Sequence, residues 1–163
     1  MDFVSDRLLH GRKFRALTLV DEYSRFSHAV NPNFSYPSIC VVRMLEQAAR
    51  ENSYPKFLRV DNGPEFIATA LGTWSVDHGV TLLFIQPGKP TQNAFIESFN
   101  SRVRDELPNP NRFRTIFEAK RAAEEWRHVY NTVHPLSSLE NQTPEDYLAL
   151  YNITQQPHKS LAA

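Results

Sequence analysis

Two carboxylates in very different local settings carry the chemistry open to this sequence. Asp61 begins the run Asp61-Asn62-Gly63-Pro64-Glu65-Phe66, which closes a short apolar stretch, Lys56 to Val60; thirty-five residues separate it from Glu97, inside a helical pattern. A carboxylate at the carboxyl end of a buried strand lies at the rim where open α/β sheets place their ligands. Gly63 and Pro64 force the strand to stop there. Around Glu97, the apolar Phe95, Phe99 and Val103 recur at four-residue spacing, while Asn93, Glu97, Asn100 and Arg104 follow the same period on another face, which reads as the wall of a site. Acids brought together repel one another unless a proton or a cation intervenes, and the cation that suits oxygen-only ligands is Mg²⁺ or Mn²⁺. Asp2, at the head of the apolar strand Met1-Asp2-Phe3-Val4, is the candidate third carboxylate.

Each residue alone has an ordinary explanation. Asp-Asn-Gly is a strong turn former, and a single helical Glu is normally solvated. The neighbours of Glu97 argue for more, because Asn93 and Asn100 are poor helix formers of the kind a polar cleft employs. The 6 histidines show no metal-ligand spacing. Cys40 is the only cysteine, which excludes internal disulfides and Cys-based zinc sites; it reads as a small core residue.

The elements that must position these residues are legible as alternating patterns. Strands at Asp2 to Leu8, Phe14 to Val20 and Arg25 to Val30, with a turn at His10-Gly11-Arg12-Lys13, predict an antiparallel meander that Pro32 ends. A helix beginning near Ser35 and Pro37 and running to about Glu51 carries Ile39, Val42, Leu45 and Ala49 toward the sheet. Strand Lys56 to Val60 follows. A second amphipathic helix, from about Glu65 to His78, has Phe66, Ala70 and Trp74 on one stripe and stops at Gly79; Val80 to Ile85 is then a fifth strand. The loop Gln86-Pro87-Gly88-Lys89-Pro90 leads into the helix of Glu97, a placement typical of loops that move over substrates. Beyond Pro110, Thr115 and Glu118 form a capping box for a helix whose stripe is Ile116, Ala119, Ala123, Trp126 and Tyr130. Thr143-Pro144-Glu145-Asp146 opens a last short helix to Tyr151, and Gln155 to Ala163 reads as a frayed tail.

The trio Asp2, Asp61 and Glu97 resembles the Asp, Asp, Glu triad of the DDE-type, integrase-core transposases of bacterial insertion sequences, within the retroviral-integrase superfamily. The spacing of the last two acids matches, as do Asp21-Glu22-Tyr23-Ser24-Arg25, the Asp-Asn-Gly-Pro-Glu-Phe run, Asn93 to Asn100, Tyr130-Asn131 and Thr143-Pro144. The order of the motifs is specific where each alone is weak. The resemblance implies an α/β, RNase H-like fold with a mixed five-stranded sheet flanked by helices, residues 1–151 forming the catalytic core and 152–163 a flexible tail. It also implies metal-dependent DNA strand cleavage and strand transfer. Two Mg²⁺ or Mn²⁺ ions would be held by Asp2, Asp61 and Glu97, with Lys89, Asn93, Asn100 and Arg104 contacting DNA ends. The implied partners are transposon-end and target DNA and a second copy in a homodimer, with no membrane and no small-molecule substrate. The chain opens one residue before the first Asp, where family members carry a Trp and a DNA-binding region. That suggests either a core cut from a longer protein or a remnant opened at an internal Met. Leu136 stands where the family's Arg-Pro-His-Ser-Ser-Leu run has its His. Two rival readings follow: a noncatalytic fragment acting in DNA binding or assembly, and an RNA-DNA hybrid nuclease.

Composition bounds these readings. The chain has 163 residues, the size of one domain with a real core. No apolar run reaches membrane-spanning length and no basic-then-apolar leader opens it, so a cytoplasmic protein is expected, and the resemblance implies a bacterial one. Lys and Arg total 18 against 18 Asp and Glu, an unusual balance for a DNA-binding protein. Arg102, Arg104, Arg112, Arg114, Lys120 and Arg121 nevertheless crowd one region and predict a local basic rim.

Overall fold

The computed structural model describes residues 1–86, 93–107 and 113–155. Strands β1 (Asp2–Arg7), β2 (Lys13–Val20) and β3 (Ser27–Asn33) form the expected antiparallel meander, with Asp2 opposite Thr18 and Ala16 opposite Pro32. Gly11, at φ +86°, makes the first hairpin turn in a conformation that other residues resist. Helix α1 (Ser38–Asn52) crosses to β4 (Phe57–Val60), α2 (Thr69–Asp77) returns to β5 (Thr81–Phe84), and β4 and β5 pair in parallel. Helices α3 (Ala94–Glu106), α4 (Ile116–Thr132) and α5 (Pro144–Gln155) complete the chain. Thr115 caps α4 by accepting from the Glu118 amide, and the Glu118 carboxylate reaches back to the Arg114 amide at 2.8 Å.

The period of two along β1 and β2 divides the core. Phe3, Leu17 and Leu19 face α1 and α2, in a cluster with Val41, Leu45, Leu58, Val60, Phe66 and Trp74. Val4, Phe14 and Ala16 face the other way, against Ile96, Phe99 and Val103 of α3 and Ala119, Ala123 and Tyr130 of α4. Both faces of the strands are therefore covered, and Asp2 shares the α3 face with Val4.

The strands hydrogen-bond as a sheet of three and a sheet of two. Met1 donates its terminal amine to the Arg59 carbonyl at 2.8 Å, but β4 ends at Val60 and the chain then turns away at Gly63-Pro64, so the overlap is short. Three expectations need correction. Pro32 does not end the third strand; it lies within β3, an outer strand of its sheet, where a missing N–H is tolerated. Ile39 is exposed and the inward face of α1 is Val41, Leu45, Ala48 and Ala49. Phe66 is buried but precedes α2, whose inward residues are Leu71, Trp74 and Ser75.

Candidate active site

Asp2 is half-buried at the first position of β1, and both its carboxylate oxygens are engaged. Oδ1 accepts from the Phe3 amide at 2.6 Å, and Oδ2 accepts from Asn100 Nδ2 at 2.8 Å. Asn100 is 1% exposed, and its Oδ1 accepts from the hydroxyl of Thr18, itself fully buried, at 2.8 Å. The hydroxyl has a single proton, so the Asp2 carbonyl 3.1 Å away shares it at best. Strand register explains this meeting, because Thr18 stands directly opposite Asp2 and both side chains face α3.

Asp61 follows β4 and makes the turn that ends it. Its Oδ1 accepts from the Gly63 amide at 2.9 Å, while Asn62 Nδ2 donates to the Ile85 carbonyl at 2.9 Å and ties the turn to the end of β5. A Cβ at Gly63 would come within 2.9 Å of Asp61 Oδ1 and 3.1 Å of Glu65 Oε2, so any larger residue there shifts these carboxylates. Glu65 is paired with Arg15 of β2, whose guanidinium also lies 4.5 Å from the Phe3 ring centroid.

Asp2 and Asp61 both lie near enough to the buried Met1 amine to influence its charge. Burial pulls the pKa of the Met1 ammonium down to about 6, against the upward pull of Asp2, Glu22 and Asp61. Glu97 is not among the groups acting on it. It is exposed on α3, one turn before Asn100. Among the described residues, no three Asp, Glu, His or Cys side chains come close enough to share a metal ion. The donor set itself, carboxylate oxygens and no sulfur or imidazole, fits a hard divalent cation.

The expected DNA contacts divide. Asn100 is turned inward, 1% exposed, with its Nδ2 donating to Asp2 and its Oδ1 accepting from Thr18. At 100° per residue it lies between the apolar stripe Ile96, Phe99 and Val103 and the polar side of α3, and the sheet claims it. Phe95 is displaced the other way, to 50% exposure under the Arg25 guanidinium at 3.8 Å. Asn93 is half-buried at the start of α3 and Arg104 is exposed on it, whereas Lys89 lies outside the described residues. In the basic rim, Arg102 is engaged by Glu106 at 3.4 Å and Arg121 by Glu125 at 3.8 Å; Arg112 is outside the described residues.

Two functions of residues went unread in the sequence. Thr18 gave a signal, since a turn at His10-Gly11 sets the register that opposes it to Asp2. Tyr130-Asn131 and the Asp21 turn prove to be one unit. Asn131 pairs with both backbone groups of Ser27, accepting from its N–H at 2.9 Å and donating to its C=O at 3.0 Å; the Tyr130 hydroxyl donates to the Arg25 carbonyl at 3.2 Å, and Asp21 Oδ2 holds the Ser24 amide at 2.7 Å. A groove of about 920 Å³ lined by Met1, Tyr23, Tyr54, Arg59 and Tyr151 lies beside this unit, but none of the three carboxylates lines it. Volume does not mark the site, which is an open rim.

A family described as "Integrase core domain" matches residues 1–90, and a second family of the same description matches the overlapping residues 78–144. The chain belongs to the integrase core family. Among its relatives is a 39.2 kDa protein of insertion element IS476 from Xanthomonas euvesicatoria, 40% identical over 99% of this chain and 46% of that protein. A 31.7 kDa protein of insertion element IS407 from Burkholderia multivorans is 42% identical over 94% of this chain and 56% of its own length. These place the integrase core in the insertion-sequence branch of the superfamily. It spans about half the length of these curated relatives. Among solved structures, the HTLV-2 integrase catalytic core domain in complex with magnesium superposes with a TM-score of 0.71 at 15% identity, covering 90% of this chain and 91% of that one. The BIV integrase catalytic core gives 0.72 at 18% identity, over 94% and 96%. At such identities the likeness shows the fold, an α/β retroviral integrase core. No described helix is long and apolar enough to cross a membrane.

Proposed function

We propose that this integrase core is the catalytic part of a DDE transposase, a polynucleotidyl transferase that cuts DNA strands at transposon ends and joins them to target DNA. The observation that carries the reading is the meeting of the start of β1 with the end of β4, where Met1 donates to the Arg59 carbonyl at 2.8 Å and so brings Asp2 and Asp61, each within two residues of that bond, to one end of the fold. The Met1–Arg59 hydrogen bond also supports reading the two sheets as one mixed five-stranded sheet of the RNase H type, with residues 1–151 as core and 152–163 as tail. Asp2, Asp61 and Glu97 would hold Mg²⁺ or Mn²⁺, two ions in all, which supply charge for activating a water or a DNA 3′-hydroxyl and for stabilising the leaving oxygen. Around them the protein's own groups do the positioning. The turn at Gly63 aims Asp61 off the strand end, and α3 carries Glu97 and Arg104 along the same rim, where Arg104, Asn93 and Lys89 would meet phosphates. DNA, a second copy of the chain, and the bacterial cytoplasm are the partners and setting this activity implies.

A noncatalytic fragment, acting in DNA binding or assembly, is the second reading. It is favoured by the exposed position of Glu97 and by the lack of a three-carboxylate cluster among the described residues. One assay separates the two. Labelled duplexes carrying insertion-sequence ends are incubated with the chain and with Asp61→Asn in Mn²⁺, and products are resolved by length. Nicked or joined strands from the wild type alone support the enzyme; equal, metal-independent background from both overturns it. Cleavage confined to RNA-DNA hybrid would select the hybrid nuclease instead.

A further inference from the structure

We propose that Asn100, braced by Thr18, is a positioning residue that fixes the Asp2 carboxylate for its cation, an inference that rests on the function proposed above. An ionised carboxylate only accepts hydrogen bonds, so it selects the Nδ2 end of the Asn100 amide and leaves Oδ1 pointing to the strands. That end then needs a donor. Thr18 provides it at 2.8 Å from a fully buried site, where water has no access to replace it. Asp2 Oδ1 is meanwhile held by the Phe3 amide, so the carboxylate plane is fixed from both ends.

The type of donor matters as much as its place. Arg or Lys at position 100 would orient Asp2 and also neutralise it, whereas an amide orients the group and leaves its full negative charge for a divalent ion. An apolar residue would preserve the core stripe of α3 and free the carboxylate to rotate. Asn is the side chain that meets both requirements at a position bordering Ile96, Phe99 and Val103. Groups that hold metal ligands in this way typically contribute ten- to a hundredfold in metal affinity.

The test is Mn²⁺ titration by calorimetry, with melting temperatures taken with and without the ion, on the full chain and on Asn100→Ala, Thr18→Val, Thr18→Ser and Asp2→Asn. Asn100→Ala should weaken Mn²⁺ binding roughly ten- to a hundredfold. Thr18→Val should weaken it in the same direction by less, and Thr18→Ser, which keeps the hydroxyl, should bind as the wild type does. A purely structural role predicts otherwise: lower melting temperatures without metal for Asn100→Ala and Thr18→Val, and unchanged Mn²⁺ affinity. That result, with binding lost in Asp2→Asn, overturns this inference alone. A wild type that takes up no Mn²⁺ overturns the proposed function together with it. Should Asn100→Ala fail to fold, the Thr18→Val and Thr18→Ser pair decides the matter, since they differ in the hydroxyl that orients the amide.

Discussion

Two buried asparagines on neighbouring helices face the same sheet and do opposite things. Asn131 of α4 pairs with the N–H and C=O of Ser27, as a strand would, and is satisfied wholly by backbone. Asn100 of α3 pairs with two side chains, one of them a carboxylate at the open rim. The first closes a gap in the hydrogen bonding of β3; the second directs a charged group whose use lies outside the core. Burial and residue type are the same, so what separates a fold-holding amide from a site-building one is the identity of its partners. Removing each should therefore be felt in different measurements.

The largest effect on stability is expected from Asn131→Ala. It leaves the buried Ser27 N–H unpaired, while the Ser27 C=O keeps Arg127 Nη1 at 3.0 Å; one such group costs roughly 1–3 kcal/mol, which for a chain of this size lowers Tm by about 5 °C. Thermal unfolding checks this, and the Mn²⁺-induced rise in Tm should persist in the variant. A variant that melts as the wild type does breaks the comparison on the Asn131 side.

Asp61→Asn should do the reverse. An Asn Oδ1 still accepts from the Gly63 amide, so the turn survives and the metal-free Tm barely moves, while the metal-dependent increment disappears. At a hundredfold excess over Kd that increment is about 2.7 kcal/mol. A retained increment would place the ion elsewhere.

Gly63→Ala falls between these cases. A methyl group 2.9 Å from Asp61 Oδ1 must displace the carboxylate or the turn, so a modest loss of stability should accompany a weaker Mn²⁺ response. Loss of stability with an undiminished response would show that the turn yields and the carboxylate does not.

How much of this could be read beforehand follows from the physics of each signal. Strand and helix order was legible because periods of 2.0 and 3.6 survive any tertiary setting, and the stripe of Ala119, Ala123 and Tyr130 in α4 is buried as its spacing predicts. Asn100 was read as facing the cleft for a geometric reason: it is within one helical step of Glu97, and pattern alone cannot say where the sheet's edge will cut the helix surface. Pro32 was misread because a proline ends a central strand but not an outer one, and position in a sheet is not a local property. Asp2, Asp61 and Glu97 were named together from the order of motifs, since no short-range rule connects a strand start, a strand end and a helix.

The smallest expected effect belongs to a third polar cluster, at the surface. Glu46 accepts from Trp74 Nε1 at 2.6 Å and from the Tyr54 hydroxyl at 3.1 Å, with His78 Nε2 at 3.0 Å, joining α1 to α2. The Trp74 hydrogen bond is the main cause that holds its carboxyl below the ordinary glutamate range, helped by Tyr54 and His78. A folded-state pKa below the unfolded one means stabilisation that is complete above the ordinary range and lost as pH falls through the lowered value. Urea midpoints of wild type and Glu46→Gln should therefore differ slightly near neutral pH and converge in acid. A gap that widens in acid would contradict the assignment.

Pro32 has a consequence for solubility. The outer strand of a sheet is a template on which an unrelated extended chain, or another copy, can add hydrogen bond by hydrogen bond until an aggregate grows. β3 is such a strand, seven residues long and apolar at Ala29 and Val30. Pro32, the sixth of its seven residues, brings to this strand a backbone nitrogen with no N–H, one of the devices that blunt an edge against such growth, while β3 stays paired with β2.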